Sequence, residues 1–195
     1  MRLEVIEHGQ RLRARFFQRF ASLMFRNEVG DDGKTLMYRP EFFGRPFLDH
    51  ARGVLRGASY WTLGEREYLA AYTSRLNECP FCVRLHSETT RLEARGEVDV
   101  DDSASVRPEL AAVMVLLEKI SRTPDDVTPT DVDAVRAAGV PDEGIVYALH
   151  VNLLLNTMNR LANALDWAWD SEDHVRAGAR AMHLFRYRLP GFVMR

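Results

Sequence analysis

Apolar residues recur three and four apart along nearly the whole chain, and nowhere do they settle into the two-residue alternation of a half-buried strand. Such stripes can be buried only by packing helix on helix, so the pattern predicts an all-α fold. Leu12, Phe16, Phe20, Leu23 and Met24 form the first stripe, read as the inward side of a helix. Arg11, Arg13, Arg15 and Arg19 decorate the same segment and read as the solvated face of a surface helix ahead of the other reading, a nucleic-acid or lipid contact. Val29–Lys34, "VGDDGK", reads as a turn. Pro46 opens a helix with Phe47, Leu48, Ala51, Val54 and Leu55 inward.

The middle of the chain carries stronger punctuation. Thr62 followed by Glu65 is a capping box, and Leu69, Tyr72 and Leu76 line one side of the helix it starts. Pro80 suits the first position of the next helix, which runs to about Ala94. "RGEVDVDDSAS" is an acidic connector, and Pro108 opens another helix. Thr128 with Pro129 caps a short helix stopped by Gly139. Asp142 to about Asp166 is long and apolar, and Ser171 starts a final helix. At 195 residues and 46% hydrophobic content, the chain supports one sizeable core and is short for two. It is read as one domain over 1–195, with about 1–35 a helical extension.

Other function classes recede. The net charge of −2 provides no global attraction for nucleic acid or an anionic membrane, and neither is expected as a partner. The longest apolar stretch, Ile145–Leu155, is broken by His150 and Asn152, so no transmembrane helix is expected. "MRLEVIEHGQRLRARFF" lacks the apolar run of a signal peptide, so a cytoplasmic protein is expected.

The only two cysteines stand together in "LNECPFCVRLHSE". If Pro80 begins a helix, Cys79 is its N-cap. First-turn amides and the positive helix end then favour a thiolate there. Cys82 lies one turn on, and His86 follows it at i+4, so one stripe presents thiol, thiol and imidazole. Glu67 precedes Cys79 by 12 residues, about three helical turns, and a helical hairpin could return it to the Cys helix. Spacing alone leaves a redox-active pair, a metal site and an inert buried pair open. Haem attachment needs histidine where Val83 stands. Zinc could take Cys79, Cys82 and His86, but a structural site wants a fourth ligand, and only folding could bring His50 or His150 there. A thioredoxin-like pair would follow a strand, and none is visible. His150 reads as a core histidine; Asn156, Asn159 and Arg160 read as packing or contact residues, and Trp61, Trp167 and Trp169 as core or interface.

"EYLAAYTSRLNECPFCVRLH" resembles the signature of the alkyl hydroperoxidase D-like proteins, within the carboxymuconolactone decarboxylase superfamily. There a glutamate precedes the first cysteine by the same interval, and CxxC is followed by xxxH. The matching residues are Glu67, Cys79, Cys82 and His86, and Asn77 fits the "LN-x-C" form. "TPTDVDAVRAAGVPDEGIVYALHVNLLLNTMNRLANALDW" is similar to the C-terminal portion of the peroxidase-related branch, and "RPEFFGRPFLDHARGVLRG" to its upstream helix. The likeness covers about 38–170. It implies an all-α fold with the CxxC at a helix start in a core hairpin, assembled into homo-oligomers. It also implies a cofactor-free thiol peroxidase for antioxidant defence. Cys82 would be peroxidatic, Cys79 resolving, Glu67 a base and His86 its relay partner. A small peroxide and an external dithiol would be the partners. One departure stands out: the characterised peroxidase has a histidine inside its CxxC, where this chain has Pro80 and Phe81. The readings beside peroxidase are a disulfide reductase or redox sensor, and an oligomeric binding protein with an inert pair.

Overall fold

The structure is a computed structural model and describes residues 1–102 and 106–194. Among the described residues there are ten α-helices: α1 Glu4–His8, α2 Leu12–Phe25, α3 Asp31–Tyr38, α4 Arg45–Arg56, α5 Leu63–Leu76, α6 Pro80–Glu93, α7 Pro108–Arg122, α8 Pro129–Ala137, α9 Asp142–Leu165 and α10 Glu172–Phe185. A π turn at Pro40–Gly44 leads into α4 and a 3₁₀ turn at Pro124–Asp126 leads towards α8. No strand occurs among the described residues. The acidic connector is described only in part, because 103–105 lie outside the described residues.

Local signals place most helix starts where the sequence puts them. The Thr62 hydroxyl accepts from the Glu65 N–H at 3.2 Å, and the Glu65 carboxylate accepts from the Thr62 N–H at 2.9 Å. Pro80 is the first residue of α6 with Cys79 as N-cap. The Ser171 hydroxyl accepts from the His174 N–H and caps α10.

The core sits around α5, which packs against α6, α7 and α9. Gly64 to Ala71 are all buried, so α5 has no free side. Trp61, Tyr68, Leu69, Leu110, Leu117 and Leu155 are the large side chains sealed around it. A Cβ at Gly64 would lie 2.4 Å from the Ala94 Cα, so glycine lets the start of α5 press against the end of α6. Burial extends to three consecutive charged residues of α5, and each has its partners. Glu65 holds Arg107, Arg66 donates to the Val54 and Gly57 carbonyls, and Glu67 is paired as described below.

Four sequence expectations are corrected here. Helix α2 forms, but it buries Ala14, Phe17 and Ala21, while Leu12, Phe16, Phe20, Leu23 and Met24 face outward. Periodicity identifies a helix but not which of two apolar arcs meets the core. "VGDDGK" is not all turn: Gly30 is an N-cap and Asp31 begins α3, whose acidic first turn suits the positive helix end. His150 is exposed, with its ring 6.5 Å from the ring of His50. Glu65 is more than a capping residue, because its carboxylate also binds the Arg107 guanidinium with two nitrogens.

Candidate active site

The turn between α5 and α6 positions the cysteine pair. Glu78 sits in the left-handed region at φ 50°, which reverses the chain between the helices. The Cys79 N–H donates to the Ser74 carbonyl at 3.0 Å. Asparagines of α9 hold the turn from the other side. The Asn77 amide donates to the Asn156 and Asn159 side-chain oxygens, each at 3.0 Å, and the Asn159 amide donates to the Ser74 hydroxyl at 3.1 Å. Asn156 and Asn159 are therefore anchors of the Cys turn. Trp167 and Trp169 are core residues that clamp Phe81, the residue just before Cys82. The Trp169 ring stacks on Phe81 at 4.2 Å and its indole N–H donates to the Phe81 carbonyl.

Cys79 and Cys82 are free thiols, 0% and 2% exposed. The Cys79 thiol is pulled down to about 7 by the adjacent Cys82 thiol, against the opposing effect of burial. The Cys82 N–H, the charge of His86 and the Asn159 amide act in the same direction. The Cys82 thiol is pushed well above its ordinary range by the Cys79 sulfur it faces and by burial. Of the two thiols, Cys79 at the helix N-cap is therefore the more acidic.

Glu67 and His86 meet as the helical hairpin allows. His86 Nδ1 lies 2.7 Å from Glu67 Oε2, and Glu67 is fully buried. Two residues that sequence patterns did not single out complete the cluster. Arg56 of α4 donates to Glu67 Oε1 at 2.5 Å, and the Tyr187 hydroxyl, just beyond α10, donates to the same oxygen at 2.9 Å. The Arg56 guanidinium also lies over the Tyr187 ring at 4.8 Å. Burial alone would raise the Glu67 pKa, but the Arg56 charge and the His86 contacts outweigh it and hold the carboxyl at about 2. The resemblance implies a base at Glu67, and a carboxyl held at about 2 binds a proton only weakly. A permanent carboxylate can only accept, so His86 Nδ1 supplies the proton of this hydrogen bond and Nε2 is the nitrogen left for other contacts. Among the described residues, Nε2 has no hydrogen-bond partner.

A largely apolar cavity of about 160 Å³ reaches this cluster. Cys82, His86 and Tyr187 line it, and Cys79 does not. Its other walls come from α2, α3, α4, α9 and α10, with Phe17, Met37, Leu55, Leu155 and Met182 among the residues that line it. Asp32 and Glu28 are the acidic residues that line this apolar space, and burial raises the Asp32 pKa. The zinc reading has no geometric support: no group of three His, Cys, Asp or Glu side chains able to hold a metal occurs among the described residues.

No protein-family model and no curated protein sequence matches the chain. Solved structures do. An uncharacterized peroxidase-related protein from Silicibacter sp. TM1040 superposes with a TM-score of 0.74 at 19% identity, over 90% of this chain and 95% of that one. An alkylhydroperoxidase AhpD core, an uncharacterized peroxidase-related protein from Ralstonia eutropha JMP134, gives a TM-score of 0.72 at 22% identity, over 87% of this chain and 92% of that one. The all-α fold of this chain, with its Cys-bearing helical hairpin at the centre, is the AhpD-like fold.

Proposed function

We propose that the protein is a thiol-dependent peroxidase that cycles Cys79 and Cys82 between dithiol and disulfide. The observation that carries this reading is that the cavity meets the pair at Cys82 and His86 while Cys79 lies behind. A small peroxide entering there reaches one sulfur first. The proton that Cys82 shares with Cys79 shifts to Cys79 or to His86 Nε2, which leaves a Cys82 thiolate. That sulfur attacks one peroxide oxygen, the O–O bond breaks, and the departing oxygen takes up a proton as alcohol or water. Cys82 becomes a sulfenic acid. The Cys79 sulfur then displaces hydroxide, which leaves as water, and the disulfide forms. An external dithiol returns both thiols and is itself oxidised.

In this reading Glu67 acts through His86, as the anion that fixes its tautomer and steadies its positive form. Arg56 and Tyr187 keep Glu67 ionised and in place. The burial of both sulfurs favours a small substrate over a protein disulfide, which could not reach them without opening the fold. The domain is proposed to act as one unit and to self-associate, and exposed Val115, Val146 and Leu153 on α7 and α9 offer apolar surface for that contact. Titration of free thiols before and after mild peroxide tests the redox claim: two thiols should fall to none within one chain. Two thiols persisting under native conditions would exclude it.

A further inference from the structure

Helix α2 is apolar on two sides. Its inner side, Ala14, Phe17 and Ala21, is buried. Its outer side carries Leu12 at 81% exposure, Phe16 at 68%, Phe20 at 51% and Leu23 at 81%. At helical spacing these four fall on one continuous ridge. Arg15, Arg19 and Arg26 recur four and seven residues apart along one edge of it, and Arg13 lies at the other. Arg13, Arg15, Arg19 and Arg26 are all exposed and form no ion pair among the described residues. No acidic residue occurs within Leu12–Phe25.

We infer that α2 is an interfacial helix that seats the protein on an anionic lipid surface. An exposed apolar ridge fringed by arginines fits the boundary between headgroups and acyl chains, with the ridge below and the cations at phosphate level. Other occupants fit less well. A second copy packed ridge to ridge would bring unpaired arginines together with no carboxylate on the helix to neutralise them. A nucleic acid would satisfy the arginines but leave Leu12 and Leu23 in water. The net charge of −2 does not oppose the contact, because charge at this range acts locally, within about a Debye length of roughly 10 Å. This surface contact is distinct from spanning: no helix among the described residues is long and apolar enough to cross a membrane.

The test is co-sedimentation of the full chain with vesicles of phosphatidylcholine alone and of equal parts phosphatidylcholine and phosphatidylserine. The protein should pellet with the mixed vesicles, stay in solution with the neutral ones, and lose binding as salt rises. Arg15→Gln/Arg19→Gln/Arg26→Gln should lower partitioning on the order of 10²-fold, at a several-fold loss per arginine. Phe16→Ser/Phe20→Ser should also release the protein. Both variants should keep the wild-type melting temperature, because the altered side chains are exposed. Absence of binding, equal binding to both vesicle types, or full binding by the serine variant would overturn the inference. A dimer that Phe16→Ser/Phe20→Ser dissociates, with no vesicle binding, would assign the ridge to a second copy instead.

Discussion

Glu67 Oε2 and His86 Nδ1 lie 2.7 Å apart in a fully buried setting, and Arg56 keeps the carboxylate ionised beside the imidazole. This contact links the charge on α5 to the cavity next to Cys82. Glu67→Gln keeps the size of the side chain but loses its charge. It should slow peroxide turnover by on the order of 10²-fold or more, as expected when a general base loses its orienting anion. Steady-state kinetics across pH checks this, because a merely structural defect would lower the rate without displacing the profile.

The same pairing makes stability sensitive to acid. The Glu67 pKa is depressed to about 2 in the fold, below an ordinary carboxyl near 4.5. A depressed carboxyl pKa stabilises the folded state above the unfolded value, and that stability is lost as pH falls through the folded one. Denaturant unfolding should therefore show a loss of roughly 3 kcal/mol between about pH 4.5 and 2 that Arg56→Met largely removes. Arg56→Met should itself cost about 3 kcal/mol or more at neutral pH, because it strands a buried charge. A flat acid limb in the wild type would show that Glu67 is not held ionised.

Asn159 acts at both ends of the site. It ties the Cys turn to α9 and lies beside both sulfurs. Asn159→Ala should destabilise the fold by about 1–3 kcal/mol, through orphaned buried partners. It should also raise the pKa of the more acidic thiol. Thiolate absorbance against pH reads the second effect separately from the first.

Glu65 separates stability from chemistry on the same helix. Its carboxylate caps α5 and binds Arg107, whose guanidinium lies 5.0 Å from the Trp61 ring centroid. Glu65→Gln should cost roughly 2 kcal/mol, more than a cap alone, while leaving peroxide turnover per folded molecule close to wild type. Melting curves beside turnover measurements check this. Equal rate losses for Glu65→Gln and Glu67→Gln would remove the special role of Glu67.

Much of this arrangement is legible in the sequence where the signals are local. The Thr62–Glu65 box, Pro80 after Cys79, and the i+4 step from Cys82 to His86 each depend on neighbours within one turn. The interval from Glu67 to Cys79 already points to a hairpin. Arg56 and Tyr187 escape such reasoning, because they reach Glu67 from 11 residues upstream and 120 downstream, and an arginine or tyrosine near a helix end has no periodic mark. The lowered pKa of Glu67 depends on Arg56 and is hidden with it. The outward turn of Leu12, Phe16, Phe20 and Leu23 was hidden for another reason. A helix with two apolar arcs does not reveal which one the rest of the chain will cover.

The division of labour between the two sulfurs is the central claim, and trapping in single-cysteine variants tests it most directly. Cys79→Ser and Cys82→Ser proteins are exposed to peroxide with dimedone present and digested for mass spectrometry. The account predicts a dimedone adduct on Cys82 in the Cys79→Ser protein, formed once per chain without turnover, and no adduct on Cys79 in the Cys82→Ser protein. An adduct on Cys79 with peroxide consumption retained in the Cys82→Ser protein would contradict it, and would place the attacking sulfur at the N-cap rather than at the cavity.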